Sequence, residues 1–309
     1  MAETMLAILL SFQLYSVLSS AAVLPHLAIS SGAKPVTGRP YPWMVSVQRL
    51  KIDRMGKDPY FDHHCGGALL RVPGKSTESD AVLTAAHCIV GVGFNADLKR
   101  LVSNSQYEDK SIFQLVFGTN NLKHHEEGVQ IRGIERMEYF PQWNQSAVTR
   151  GLGFDVALIK LDSPVKFSDA VQPVMLVEEG YQLDGGDHCT VAGWGSTGTS
   201  QATYQLHHVT VKVVDDSECT QIWNSKYPEN KYNQSTMICA GIGNLPTLCG
   251  GDSGSPLVCK LEDQWVQFGI TSFSVLPCGS IHSLPGGYVR LSAYMRWITE
   301  KVALWTSSA

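Results

Sequence analysis

Basic residues are not in excess in this chain. Its 309 residues carry 24 Lys+Arg against 28 Asp+Glu, a formal net charge of −4, which excludes a nucleic-acid binder working through a basic surface. Internal repeats and low-complexity linkers are absent, leaving one large β-barrel unit or two small lobes packed together. Long hydrophobic runs are absent as well. The apolar core Leu6–Leu18 is too short and too spotted with polar residues to span a bilayer, and no other stretch is a candidate span. The segment before it holds Glu3 and lacks Lys and Arg, so a positive leader is missing. The run still reads as a secretory signal, with small Ser20 and Ala22 at the −3 and −1 positions for cleavage after Ala22; the alternative is an uncleaved anchor. The expected location is therefore secreted and extracellular.

Eight cysteines suit an oxidising compartment, although spacing alone leaves their pairing open. Short β-rich runs such as Met44–Gln48, Ile112–Phe117, Val156–Leu161, His208–Val214, Pro256–Lys260 and Trp265–Ser272 recur between Gly, Pro, Asn and Asp turns. They predict an all-β fold. One helix is expected at the C-terminus, capped by Ser292, with Tyr294, Ile298, Val302 and Trp305 at helical spacing. Three loops look long: Gln48–His64, Val72–Asp80 and Gly91–Gln106. They either restrict access to a cleft or are tolerated surface insertions.

The most informative run is Cys249-Gly250-Gly251-Asp252-Ser253-Gly254-Ser255-Pro256. A serine hydroxyl is a poor nucleophile by itself. Small neighbours let the backbone turn tightly, so the N–H groups of Gly251 and Ser253 can converge on one developing oxyanion. A carboxylate buried at Asp252 would need a cationic partner. Two further blocks supply a base and a carboxylate. One is Leu83-Thr84-Ala85-Ala86-His87-Cys88, and the other is Phe154-Asp155-Val156-Ala157-Leu158, where Asp155 heads an apolar run.

With Tyr41-Pro42-Trp43, Cys65-Gly66-Gly67, Val191-Ala192-Gly193-Trp194-Gly195, Met237-Ile238-Cys239-Ala240-Gly241 and Pro285-Gly286-Gly287-Tyr288, these blocks resemble the trypsin/chymotrypsin family of serine endopeptidases. The resemblance runs from about Ile29 to the C-terminus. It implies two six-stranded antiparallel β-barrels with a C-terminal helix and a cleft between the barrels. It also implies a signal peptide over 1–22, a short propeptide over 23–28 and a peptidase domain over 29–309.

The same resemblance implies a mechanism. Ser253 attacks, His87 transfers the proton, and Asp155 orients the imidazole. Gly251 and Ser253 form the oxyanion hole, and Ser272 lies behind the aspartate. The bridges implied are Cys65–Cys88, Cys189–Cys259, Cys219–Cys239 and Cys249–Cys278. No cofactor or metal is implied; Thr119 and Val129 replace the acids of the relatives that bind calcium in the loop Gly118–Val129. Six residues before Ser253, Thr247 stands where relatives that cut after Lys or Arg carry Asp. An uncharged, medium apolar residue before the scissile bond is therefore expected, with Ser274 narrowing the pocket and Gly286 leaving its other wall open. Ser255 replaces the family's usual glycine and is expected to need a permissive backbone angle.

In this family a new terminal amine pairs with the aspartate before the catalytic serine. Here the nearest match is Ile29-Ser30-Ser31-Gly32, preceded by Leu27-Ala28 rather than a basic residue, so Ile29 is expected to pair with Asp252 after an unusual cleavage. Partners implied are protein or peptide substrates and a protein inhibitor, for a monomer without nucleic acid or a stable membrane span. Asn144 and Asn233 match the N-glycosylation pattern. The alternative function is a catalytically silent binding or regulatory protein on the same fold; retention of all three triad residues argues against it.

Overall fold

The computed structural model describes residues 33–52, 58–90, 92–95, 100–103, 109–124, 127–143, 153–196, 203–228, 232–241, 250–273 and 284–306. In chain order the strands are β1 (Lys34–Pro35), β2 (Met44–Lys51), β3 (Tyr60–Leu69), β4 (Glu78–Thr84), β5 (Val92–Asn95), β6 (Arg100–Ser103), β7 (Phe113–Phe117), β8 (Gln130–Arg132) and β9 (Ile134–Tyr139). There follow β10 (Ala157–Lys166), β11 (Met175–Leu176), β12 (His188–Gly193), β13 (His207–Lys212), β14 (Met237–Ala240), β15 (Pro256–Leu261), β16 (Gln264–Phe273) and β17 (Gly286–Arg290). The helices described are α1 (Ala86–Ile89), α2 (Asp216–Lys226) and α3 (Met295–Thr306). None of these helices is long and apolar enough to cross a membrane.

Two curled sheets form the halves of the molecule. The first runs β8-β7-β2-β3-β4-β10-β9. Its end strands are successive pieces of one run interrupted at Gly133. The Gly133 N–H donates to Asp162 Oδ2 at 3.0 Å, and its carbonyl accepts from Asp162 N at 3.2 Å. The two ends of the sheet therefore meet, and with β8 and β9 taken as one strand it closes as a six-stranded barrel. In the second sheet β13, β12, β15, β16, β17 and β14 follow one another, and a bridge between Val213 and Ala240 returns the last strand to the first. β1 and β11 are two-residue additions to it. Closure removes the open edges that would otherwise invite pairing with other chains.

Burial follows the apolar runs. Ala81, Val82 and Leu83 on β4 and Ala157, Leu158 and Ile159 on β10 are all fully buried. A continuous apolar run of this kind suits a strand covered on both faces. These two strands pair with each other, Ala157 opposite Thr84, and so bring the residues that follow β4 alongside those that precede β10. That register places His87 beside Asp155. Disulfides join Cys65 to Cys88, Cys189 to Cys259 and Cys219 to Cys239. Cys249 and Cys278 lie outside the described residues.

The sequence reading needs five adjustments. The C-terminal helix begins at Met295, not after Ser292, which lies in a 3-10 turn, Leu291–Ala293, with its carbonyl accepting from Gly180 N. Met295, Ile298, Val302 and Trp305 form the buried face of α3. Helix α2 was not expected. Asp215 caps it by accepting from Ser217 N at 2.9 Å, and the Asp215/Glu218 spacing is a capping-box signature. The stretch Gln48–His64 is largely hairpin stem, since β2 reaches Lys51 and β3 starts at Tyr60. Gly91–Gln106 contains the antiparallel pair β5–β6, and β4 takes up Glu78–Asp80 from the third loop.

Helix α2 is tied to the second barrel by Arg290, which is 2% exposed. Its Nη2 donates to both carboxylate oxygens of Asp216 at 2.6 and 2.7 Å, and its Nε donates to Gln234 O at 2.9 Å. Asp216→Ala strands this cation in the interior. Loss of about 2–4 kcal/mol of stability is expected, read as a lower urea midpoint; an unchanged midpoint would show that Arg290 is compensated elsewhere.

Candidate active site

His87 sits in the one-turn helix α1, immediately after β4. Its Nδ1 lies 2.7 Å from Asp155 Oδ2, while its backbone N–H donates to Asp155 Oδ1 at 2.9 Å. The carboxylate therefore grips both the ring and the main chain. With Nδ1–H donating, Nε2 is left as the free basic nitrogen. Asp155 is 1% exposed, and Ser272 Oγ donates a third hydrogen bond to it at 2.6 Å. Ser272 belongs to β16, so the carboxylate also links the two barrels.

Opposing effects act on these two groups. Burial alone would lower the His87 pKa, but the charge of Asp155 and its hydrogen bond outweigh it, and the pKa is raised above 6.5. Burial alone would raise the Asp155 pKa, but the charge and hydrogen bonds of His87 and the hydroxyl of Ser272 outweigh it and hold the carboxyl below its ordinary value. The pair is thus kept as a poised base with an ionised partner.

Ser253 reaches the site from the second barrel. Its carbonyl accepts from Gly66 N at 2.7 Å, which sets β3 against the serine loop. Thr84 Oγ1 in turn donates to the Gly66 carbonyl at 2.8 Å. Gly254, at φ +80°, takes the left-handed backbone that the turn demands, and its N–H donates to Thr271 O at 2.8 Å. The Ser253 hydroxyl and His87 Nε2 are not hydrogen-bonded; such contacts commonly tighten only when substrate closes the site. Ser255 does not have a positive φ, so the expected need for a special backbone angle does not arise. What it needs is room. A side chain on Gly66 would overlap the Ser255 hydroxyl, so that glycine is required by space.

The Asp252 carboxylate lies against the Gly193–Gly195 stretch of the second barrel. Its Oδ1 accepts from Gly195 N at 3.0 Å, and a Cβ on either Gly193 or Gly195 would collide with its carboxylate. The Gly-Trp-Gly block is thus a cradle for this side chain. The proposed partner Ile29 lies outside the described residues, as do Thr247, Ser274 and Asn144. Gly286 is buried at the start of β17, paired with Ala240. Asn233 is partly exposed, with its Oδ1 accepting from Ser235 N at 3.0 Å. Among the described residues one His/Cys grouping has metal-like spacing, Cys65, His87 and Cys88, but both sulfurs are committed to a disulfide.

The sequence reading missed two residues. His63 Nε2 lies 2.9 Å from the Gly251 carbonyl, and His63 Nδ1 lies 2.8 Å from Ser46 Oγ. Holding this carbonyl sets the orientation of the peptide plane beside the serine. His63 is 188 residues from Gly251 in the chain, so no local pattern could have announced the contact. Burial lowers the His63 pKa from 6.5 to about 4, and the ring is neutral at neutral pH.

Similarity to known proteins agrees with this geometry. The family profile described as Trypsin matches residues 30–298. Chymotrypsin-C of Bos taurus is 33% identical over 279 residues, covering 88% of this chain and 88% of that relative. Chymotrypsin-like elastase family member 3A of Homo sapiens is 35% identical over 268 residues, covering 85% of each. A solved chain described as "Structure of GrC" superposes with a TM-score of 0.66 at 28% identity, covering 87% of this chain and 98% of that one.

A group whose pKa falls on folding destabilises the fold as pH drops through that window, because the unfolded chain binds the proton more readily. For His63 the window runs from 6.5 down to about 4. The stability advantage of the wild type over His63→Leu is therefore expected to shrink as pH falls across it, in denaturation curves taken at each pH. A difference that stays constant from pH 6.5 to 4 would mean that His63 is not held neutral.

Proposed function

The chain belongs to the trypsin family of serine endopeptidases, and on that premise we propose that it cleaves peptide bonds through Ser253, His87 and Asp155 by way of an acyl-enzyme. Its substrates are proteins or peptides. The observation that carries the proposal is the two-point hold of Asp155 on His87, at 2.7 and 2.9 Å. In this scheme Ser253 Oγ attacks the scissile carbonyl while His87 Nε2 accepts its proton, and the imidazolium formed is stabilised by Asp155. The carbonyl oxygen becomes an oxyanion bound by the N–H groups of Gly251 and Ser253, each donor supplying about 3–4 kcal/mol to the transition state. The amine leaves with the proton from Nε2. Water then repeats the cycle on the ester and releases the acid.

Activation follows from Asp252. Cleavage after Ala28 frees the amine of Ile29, which pairs with the cradled Asp252 carboxylate and orders the Gly251–Ser253 loop. A trypsin-like enzyme does not cut after alanine, so a different processing enzyme acts here. The protein is secreted after removal of residues 1–22 and works as a monomer. Thr247, Ser274 and Gly286 stand at the family's pocket positions in the sequence and bring no negative charge, so medium apolar residues such as Leu and Met are accepted before the scissile bond in preference to Arg.

Labelling by a fluorophosphonate, coupled to N-terminal sequencing of the secreted protein, tests the chemistry. The expected result is a mature chain that starts at Ile29 and labels in the wild type but not in Ser253→Ala. A correctly processed chain that never labels would favour the catalytically silent alternative.

The pH profile follows from the charges. His87 must be neutral to act as base, and its pKa is raised, so the acid limb of kcat/KM is expected above pH 6.5. Asp155→Asn removes the charge that raises it. Turnover should fall about 10⁴-fold, and the acid limb should move to lower pH. An acid limb that does not move would separate Asp155 from His87.

Pocket preference is read from a panel of chromogenic peptides that differ only in the residue before the scissile bond. Leu or Met is expected to be cut fastest, and fastest cleavage after Arg or Lys would overturn the assignment of Thr247.

A further inference from the structure

The β2–β3 hairpin carries a charge that the triad does not use. Arg49 lies on β2 opposite Asp62 of β3, yet the two do not pair. Asp62 instead accepts from Lys51 Nζ at 2.5 Å and from His63 N at 3.0 Å. Among the described residues no carboxylate neutralises Arg49. Its Nη1 lies 3.3 Å from His64 Nε2, and its Nε is buried without a hydrogen-bond partner. A guanidinium stays protonated and offers only donors, so Nε2 of His64 accepts and the ring's proton resides on Nδ1. Burial, followed by the nearby charges of Arg49, His87 and His63, lowers the His64 pKa to about 3. His64 is therefore a neutral brace, and the charge here belongs to Arg49.

The position of this cation follows from the reaction. The leaving amine takes its proton from His87 Nε2, and that nitrogen faces Cys88 Sγ at 3.9 Å. Whatever follows the scissile bond must depart over the Cys65–Cys88 bridge. His64 is the residue immediately before Cys65. Gly66, immediately after it, is hydrogen-bonded to Ser253 O. An extended chain advances about 3.3–3.6 Å per residue, so one or two residues carry the departing segment from Nε2 across the bridge toward His64 and Arg49.

We propose that Arg49, braced by His64, selects an acidic side chain within the first two residues after the scissile bond. Desolvated cations that lack a partner are satisfied best by a carboxylate, and the guanidinium fork suits two-point contact with one. Lysine or arginine at the same place meets like-charge repulsion. The proposal rests on the peptidase chemistry above.

Peptides identical up to the scissile bond, ending there in the best residue from the chromogenic panel, are given Asp, Ala or Lys at the second position beyond it. The quantity measured is the Asp/Lys ratio of kcat/KM within each variant, so any loss of folded enzyme cancels. The wild type is expected to favour Asp over Lys by roughly five- to tenfold. Arg49→Lys should retain the preference, Arg49→Ala should bring the ratio to about one, and Arg49→Glu should invert it. Wild-type turnover with equal rates for Asp and Lys, or a preference that persists in Arg49→Ala, overturns the role of Arg49 alone. A wild type that neither cuts the peptides nor labels with fluorophosphonate overturns the catalytic reading, and this inference with it.

Discussion

The hydrogen bond from Gly66 N–H to the Ser253 carbonyl, 2.7 Å long, joins one barrel to the other at the site. Its geometry depends on a close approach of two backbones. Gly66 can bear no side chain because Ser255 fills the space, and the Gly66 carbonyl is itself held by Thr84 one strand away. Thr84 is the last residue of the strand that delivers His87. One short relay thus connects the serine loop to the histidine helix, and His63 adds a second tie through the Gly251 carbonyl. The site is built across an interface between two closed barrels, so each barrel can be rigid while the cleft remains open to substrate.

Three histidines near this seam show how surroundings set protonation. His87 has the Asp155 carboxylate against it, and its pKa rises despite burial. The His63 ring bonds a hydroxyl and a carbonyl, and burial outweighs these and the nearby Asp62 charge to take its pKa down to about 4. His64 has a guanidinium beside it and falls further, to about 3. The same side chain serves as a base, as a neutral clamp on a peptide plane and as a neutral support for a cation. Only the first of these roles requires a carboxylate bonded to the ring, and among the three rings only that of His87 has one.

Much of this was readable from local pattern. The apolar run after Asp155 marks a buried strand, and the small residues around Ser253 mark a tight turn, because burial and backbone strain act over a few residues. Helix α2 also had a signal in Asp215 and Glu218, but its mean apolarity is low and its anchor, Arg290, lies far along the chain. The stretch Gln48–His64 looked like a loop because its charged residues hide the strand alternation. Backbone register that sets Lys51 opposite Tyr60 and Arg49 opposite Asp62 makes it a hairpin stem. Ser292 resembled a cap by spacing, yet the chain turns once more before α3 begins.

The sequence by itself determined the all-β class, the C-terminal helical face, and the residue types needed for acyl transfer, since each depends on periodicity or on the chemistry of a side chain. Tertiary structure alone decided that Asp155 holds both the ring and the main chain of His87, that His63 clamps Gly251, that Gly193 and Gly195 cradle Asp252, and that Arg49 meets His64 rather than a carboxylate among the described residues. Each of these is an encounter between residues distant in the chain. Its outcome depends on the register of β4 against β10 and of β2 against β3, and on the closure that brings one barrel against the other.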